Sequence, residues 1–311
     1  PHEPFGPVAE VKEAAGSEAH MLGLLPGVEI VVTEMAPLTA RVIAVAEALR
    51  LIVVCRGGPV NVNLDAATER GIPVCFTPAR NAAATAEYTI GLLLAAMRHI
   101  AAGHHDLLAG RWRGDFYAYD LAGTELEGKT AGLVGFGAIG RRVATVLRAF
   151  GARVLVADPY VEPAAVAAVG AELVTLDGLL PRADVLSLHA RLTPETHRLI
   201  GREEMALLPR GAVLVNAARG GLLDQDALCD ALDSGHLRAA ALDVYDPEPP
   251  PPGARIFSTP HLVLSPHLAG ASRETAERAA KIAAAEVGRY LRGEPLRFVA
   301  NPAAVATAVG R

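Results

Sequence analysis

Short β-branched runs alternate with alanine-rich stretches of helical spacing along nearly the whole chain, and that rhythm leaves few architectures open. Gly27 to Glu34, Leu49 to Gly58 and Ile72 to Pro78 read as buried strands, with helices at 40–50 and 65–71 between them. A second series follows, with strands at Thr130 to Gly137, Ala152 to Tyr160, Ala183 to Ala190, Gly211 to Gly220, Leu237 to Asp246 and His261 to Gly270. Strands and helices in this order imply parallel sheets covered by helices on both faces. At 311 residues the chain is long enough for about two domains. Between the two series, residues 81–108 read as one long helical stretch. It is apolar on more than one face and is expected to be buried between domains or subunits. A last helix runs from an N-cap at Ser272 to a stop at Gly293. The expected division is 80–270 as one domain, with 1–79 and 271–311 joined as the other.

Composition narrows the function classes. A net charge of −5 offers no electrostatic footing for nucleic acid or an anionic membrane surface. The longest apolar run, Ile90 to Met97, is too short to span a bilayer. Three scattered cysteines (Cys55, Cys75, Cys229) support neither a disulfide framework nor a zinc cage, so the expectation is a cytoplasmic protein without a metal site. Lysine occurs only at Lys12, Lys129 and Lys281, which leaves little room for lysine chemistry.

One motif combines pattern and context. Gly135-Phe136-Gly137-Ala138-Ile139-Gly140 is G-x-G-x-x-G directly after an expected strand and at the opening of an expected helix. The first glycine suits a tight turn, the second a close approach to a pyrophosphate, and the third close helix–strand packing. Asp158 ends the next strand, where a carboxylate accepts from an adenosine ribose and repels a 2′-phosphate, favouring NAD over NADP. A rival motif, Gly123 to Thr130, matches the phosphate loop G-x-x-x-x-G-K-T. It runs into a strand instead of a helix, and it places Glu125 and Glu127 where phosphate oxygens would sit.

Ligands of open α/β sheets bind beyond the carboxyl ends of strands. Arg219, Glu248 and His267 follow three such ends. A guanidinium can fix a carboxylate and polarise a carbonyl. A histidine can donate the proton that balances a hydride, and a carboxylate beside it holds its tautomer. Taken singly, each also reads as a surface charge, a turn residue or a packed imidazole.

The stretches GLVGFGAIGRRVA, LHARLTPETHRLI, VLVNAARGGLLDQDAL, AALDVYDPEPP and LSPHLAGAS, in that order, resemble the D-isomer-specific 2-hydroxyacid dehydrogenase family. Its members include phosphoglycerate, glyoxylate/hydroxypyruvate and D-lactate dehydrogenases. The resemblance implies two doubly wound parallel-sheet α/β domains, a Rossmann NAD-binding domain inserted into a flavodoxin-like substrate domain. It implies interconversion of a 2-keto acid and a D-2-hydroxy acid, with Arg219, Glu248 and His267 as the catalytic set. Gly135, Gly137, Ala138, Ile139, Gly140, Asp158, Ala217, Asp243 and Gly270 would line the cofactor. Gly57 and Gly58 would offer N–H groups to the substrate carboxylate, with Arg56 and Asn81 nearby. Arg56 stands where the family usually has glycine, so it either adds a cation to the substrate or points outward. Glu34 weakens the case for a phosphorylated substrate. A strand and helix are expected to precede Pro1, so that the family's second strand falls near Val8 to Lys12. A homodimer through the cofactor domains is implied. The rival from another class is a non-catalytic NAD(H)-sensing protein of the corepressor type.

Overall fold

The computed structural model describes residues 6–308. The chain forms two compact units, Pro1–Asn81 with Ala271–Arg311, and Ala82–Gly270. The first unit opens with an antiparallel pair, β1 (Gly6–Val8) and β2 (Val11–Ala14). Val8 to Lys12 is therefore not one strand, because the backbone reverses at Ala9, which adopts φ +49°. After α1 (Glu18–Leu24) come β3 (Ile30–Thr33), α2 (Ala40–Val45), β4 (Leu51–Val54), α3 (Leu64–Glu69) and β5 (Val74–Phe76). Ser17, Thr39 and Asn63 cap the three helices, each side-chain oxygen accepting from a backbone N–H in the first turn. The strands form a parallel sheet in the order β3-β4-β5. Ile52 and Val54 face the apolar core under the helices, while Leu51 and Val53 face the other side. That is the period-two consequence of a strand buried on both faces.

The second unit begins with α4 (Ala82–Met97) and α5 (Ile100–Leu108). The long helix expected over 81–108 is thus two helices. His99 breaks it in the left-handed conformation, φ 55°. Thr124 N–H takes the Met97 carbonyl at 3.1 Å, and the chain crosses so closely that only Gly123 fits, its Cβ position being 2.7 Å from that oxygen. Ile90, Leu93 and Met97 of α4 belong to this unit's own core. Then follow β6 (Thr130–Val134), α6 (Ala138–Ala149), β7 (Arg153–Ala157), α7 (Pro163–Ala167), β8 (Glu172–Leu173) and α8 (Leu176–Leu179). The series closes with β9 (Val185–Leu188), α9 (Arg202–Leu207), β10 (Ala212–Asn216), α10 (Gln225–Asp233), β11 (Leu237–Leu242) and β12 (Leu262–Leu264).

The seven strands are parallel in the order β12-β11-β10-β9-β6-β7-β8. The order reverses between β6 and β9, which is the switch point where open α/β sheets take ligands. One apolar core lies on the α4 and α6 side and a second on the α8 and α10 side. The chain then returns to the first unit through α11 (Arg273–Leu291) and α12 (Pro302–Ala308). Ser272 caps α11 by accepting from Thr275 N–H at 3.0 Å, and Gly293 follows it at φ +67°. Ala283 of α11 covers the second face of the small sheet with Leu51, Val53 and Cys75. Among the described residues no helix is long and apolar enough to cross a membrane, and no cluster of three or more His, Cys, Asp or Glu could hold a metal ion.

Candidate active site

The glycine motif lies between β6 and α6, at the switch point. Gly135 adopts φ +96°, and a Cβ there would meet Ala190 N at 2.6 Å. At Gly140 it would meet the Gly135 carbonyl oxygen at 2.4 Å. Both glycines are thus required by the protein's own packing. Gly137 differs, because nothing lies within 4 Å of its Cβ position. It caps α6, whose first intrahelical bond is Arg141 N–H to Gly137 O at 3.1 Å. The N–H groups of Ala138, Ile139 and Gly140 precede that bond and point out of the helix start, an anion cradle by construction. Asp158 follows β7 and accepts from Phe136 N–H at 2.7 Å and Tyr160 N–H at 2.9 Å. Each oxygen keeps lone-pair capacity for a hydroxyl donor, while the charge opposes a phosphate. These residues fit an NAD pyrophosphate and ribose. The rival phosphate-loop motif fails on the same criteria: its Gly128 turns at φ +74° into β6, and no helix follows.

His189 ends β9 beneath this loop, bonded to Ser187 Oγ through Nε2 at 2.9 Å, with its Cβ 3.7 Å from the Cβ position of Gly140. Burial pushes its imidazole from 6.5 down to about 4. Between those values the unfolded chain holds a proton that the folded chain does not. Stability is therefore full above about pH 6.5 and falls as pH drops toward 4, by about 2–3 kcal/mol once discounted for a residue that is only half-buried. Thermal unfolding across that window checks this. His189→Asn should flatten the acid limb, and a limb as steep as the wild type's would contradict the assignment.

The three reactive side chains lie at the ends of neighbouring strands. Arg219, after β10, is exposed, its guanidinium donating to the Ala218 carbonyl at 2.7 Å. Asn216, fully buried at the end of β10, donates to the Arg219 carbonyl at 2.9 Å and accepts from Ala218 N–H at 3.1 Å. Gly220 packs against the backbone beyond β11, where a Cβ would lie 1.9 Å from the Tyr245 carbonyl oxygen. Glu248 and His267 meet directly, Nδ1 to Oε1 at 2.5 Å, both half-buried. A carboxylate partner makes Nδ1 the donor.

Asp243 is fully buried. It accepts from Ser265 Oγ at 2.5 Å and from Leu268 N–H and Ala269 N–H at 2.8 Å each. Tyr245 donates its hydroxyl to the Ser265 carbonyl at 2.8 Å, and burial raises that phenol to about 12. Ala217 is buried among the α4-side apolar residues, and Gly270 is the last residue of the unit.

In the first unit, Gly57 and Gly58 follow β4 with nothing within 4 Å of either Cβ position. Arg56 beside them neither points outward nor stands alone. It forms an ion pair with Glu13 and donates to the Glu13 carbonyl at 3.4 Å. Arg80 pairs with Glu34 at 3.2 Å, and Asn81 ends this part of the unit. The side chains that sequence reasoning passed over are Asn216, Tyr245, Ser265 and His189. Their signal was available: Asn216, Ser265 and His189 each stand at or just beyond the carboxyl end of an otherwise apolar strand.

Residues 90–269 match the family model described as D-isomer specific 2-hydroxyacid dehydrogenase, NAD binding domain. The chain is 41% identical over 292 residues to D-3-phosphoglycerate dehydrogenase of Mycobacterium leprae (strain TN), covering 93% of this chain and 54% of that protein. It therefore spans about half that relative's length. It is 37% identical over 258 residues to glyoxylate reductase of Korarchaeum cryptofilum (strain OPF8), covering 83% of this chain and 78% of that protein. The apo-structure of D-lactate dehydrogenase from Escherichia coli superposes with a TM-score of 0.80 at 28% identity, covering 91% of this chain and 89% of that one.

Proposed function

The chain belongs to the D-isomer specific 2-hydroxyacid dehydrogenase family, and from that premise we propose that it interconverts a 2-keto acid and a D-2-hydroxy acid with NAD as cofactor. The His267–Glu248 pair at 2.5 Å is the observation that carries this reading. NADH, when bound, would supply the hydride for the substrate's carbonyl carbon. Arg219 holds the substrate carboxylate and polarises the carbonyl through its forked donors. His267 gives the Nε2 proton to the carbonyl oxygen, and Glu248 on Nδ1 keeps the ring in that tautomer. The exposed N–H groups at Ala138 and Ile139, with Gly140, bind the pyrophosphate, and Asp158 accepts from the ribose. Gly57 and Gly58 offer backbone N–H groups to the substrate's carboxylate end.

The domain bounded by 82–270 is the cofactor domain in this reading, and the other unit is the substrate domain. Relatives named for three different acids leave the particular 2-keto acid to assay. A panel of 2-keto acids with NADH and NADPH tests the reading: NADH oxidation with at least one acid, and preference over NADPH, is expected. Tight NADH binding with no turnover of any acid would support the sensor class instead.

The assembly we propose is a homodimer through the cofactor domains. Leu107, Leu108, Trp112, Tyr117 and Tyr119 are supporting observations, being 59–95% exposed on one stretch of that unit. A light-scattering mass of one chain would contradict it. Free thiols at Cys55, Cys75 and Cys229 support residence in the cytoplasm, and cell fractionation tests that placement.

A further inference from the structure

The carboxyl end of the small parallel sheet carries two guanidinium groups, and each is matched by a carboxylate. Arg56, after β4, forms an ion pair with Glu13. Arg80, after β5, pairs with Glu34, which follows β3, Nη2 to Oε1 at 3.2 Å. β4 lies between β3 and β5, so the Arg80–Glu34 pair reaches across the end of the central strand, where Cys55, Gly57 and Gly58 leave it. The Cys55 thiol feels both charges: burial and then Glu34 push it up, and Arg80 draws it down. The two partners differ in setting. The Glu34 side chain is 57% exposed and that of Arg80 only 14%. Among the described residues, Arg80 Nε is buried with no hydrogen-bond partner, so the guanidinium does not present its full fork to Glu34. It keeps donors in reserve that match a carboxylate or a phosphate.

We propose that the Glu34–Arg80 pair is a specificity-determining element that restricts the substrate to 2-keto acids with one anionic group: Glu34 neutralises the cation that a second anion needs, and repels that anion. The inference rests on the proposed function, in which Gly57 and Gly58 take the substrate's one carboxylate. Charge balance gives the reason. Arg56 and Arg80 are both engaged by carboxylates of their own unit, so together with those partners they add no net positive charge to this sheet end. A second anion entering here loses water without meeting an uncompensated guanidinium. A neutral side chain carries no such cost, and the difference between the two is specificity.

The experiment uses the full chain with NADH and two 2-keto acids of equal chain length, 2-oxopentanoate with one carboxylate and 2-oxoglutarate with two. The readout is the ratio of kcat/KM for 2-oxoglutarate to that for 2-oxopentanoate, because a general loss of folding or activity moves both alike. An acid that is not turned over is measured as a competitive inhibitor of the acid reduced fastest, and inhibition constants then supply the ratio. The wild type should favour 2-oxopentanoate by about 10-fold or more. Glu34→Gln should shift the ratio toward 2-oxoglutarate by about 10-fold, and that gain should shrink at high ionic strength. Glu34→Asp, which keeps the charge, should stay near the wild-type ratio. Adding Arg80→Met to Glu34→Gln should remove most of the gain, since the released guanidinium supplies it. If the double variant does not fold, ionic strength decides, and a gain insensitive to salt would overturn the proposal. A wild type that favours 2-oxoglutarate, or a ratio that Glu34→Gln leaves within about twofold, would overturn the proposal alone. A wild type that reduces no 2-keto acid would overturn the proposed function, and this proposal with it.

Discussion

Replacing His267 by alanine lowers turnover by about 10²-fold or more while NADH binds as before. His267 follows β12, and its Nδ1 is held by Glu248 at 2.5 Å. Removing the imidazole takes away the proton that must reach the carbonyl oxygen as hydride reaches carbon. The cofactor cradle lies elsewhere, at the start of α6, and its open N–H groups do not depend on this loop. Glu248→Gln should fall between the wild type and His267→Ala, because the ring keeps a hydrogen-bond partner and loses a charge. Steady-state kinetics beside NADH titration separates the effects. A His267→Ala enzyme at wild-type rate would remove the histidine from the mechanism.

The second large effect is expected at a residue with no chemistry. Gly220 lies so close to the chain beyond β11 that an alanine Cβ would stand 1.9 Å from the Tyr245 carbonyl oxygen and 2.7 Å from Asp246 N. Both neighbours are backbone, so neither can rotate away. Gly220→Ala must push the Arg219 loop from the segment that carries Glu248. A cost of about 3 kcal/mol or more is expected, at the upper end of overpacking, with turnover lost even where the protein folds. Gly57→Ala is the matched control, since no atom lies within 4 Å of its Cβ position. Its thermal midpoint should stay near the wild type's. Equal midpoints for the two variants would contradict the packing at Gly220.

Much of the fold was legible because its signals are local. Strand runs, the glycine motif and the Ser272 cap are all set by neighbours in sequence. What was not legible is decided by contacts distant along the chain. The break at His99 depends on Gly123 and Thr124 crossing the end of α4. The turn at Ala9 separates two short strands where one was expected. The Arg56–Glu13 pair joins residues far apart in sequence, so nothing near Arg56 announces it. Arg219, Glu248 and His267 could be proposed from the sequence because they follow strand ends and carry recognisable chemistry. Tyr245 was not found, because its buried hydroxyl bonds leave no periodic trace, and Asn216 and Ser265 were passed over although they stand at strand ends. Yet Asn216 and Tyr245 bind backbone next to a reactive side chain or at one remove from it, and Ser265 binds the Asp243 carboxylate.

The central claim is hydride transfer to the carbonyl carbon of a 2-keto acid with proton delivery to its oxygen. Reduction of a prochiral 2-keto acid with NADH deuterated at the transferring position tests it most directly. The expected product carries one deuterium at C2 and has the D configuration. An L product, deuterium absent from C2, or NADH bound without any product would contradict it.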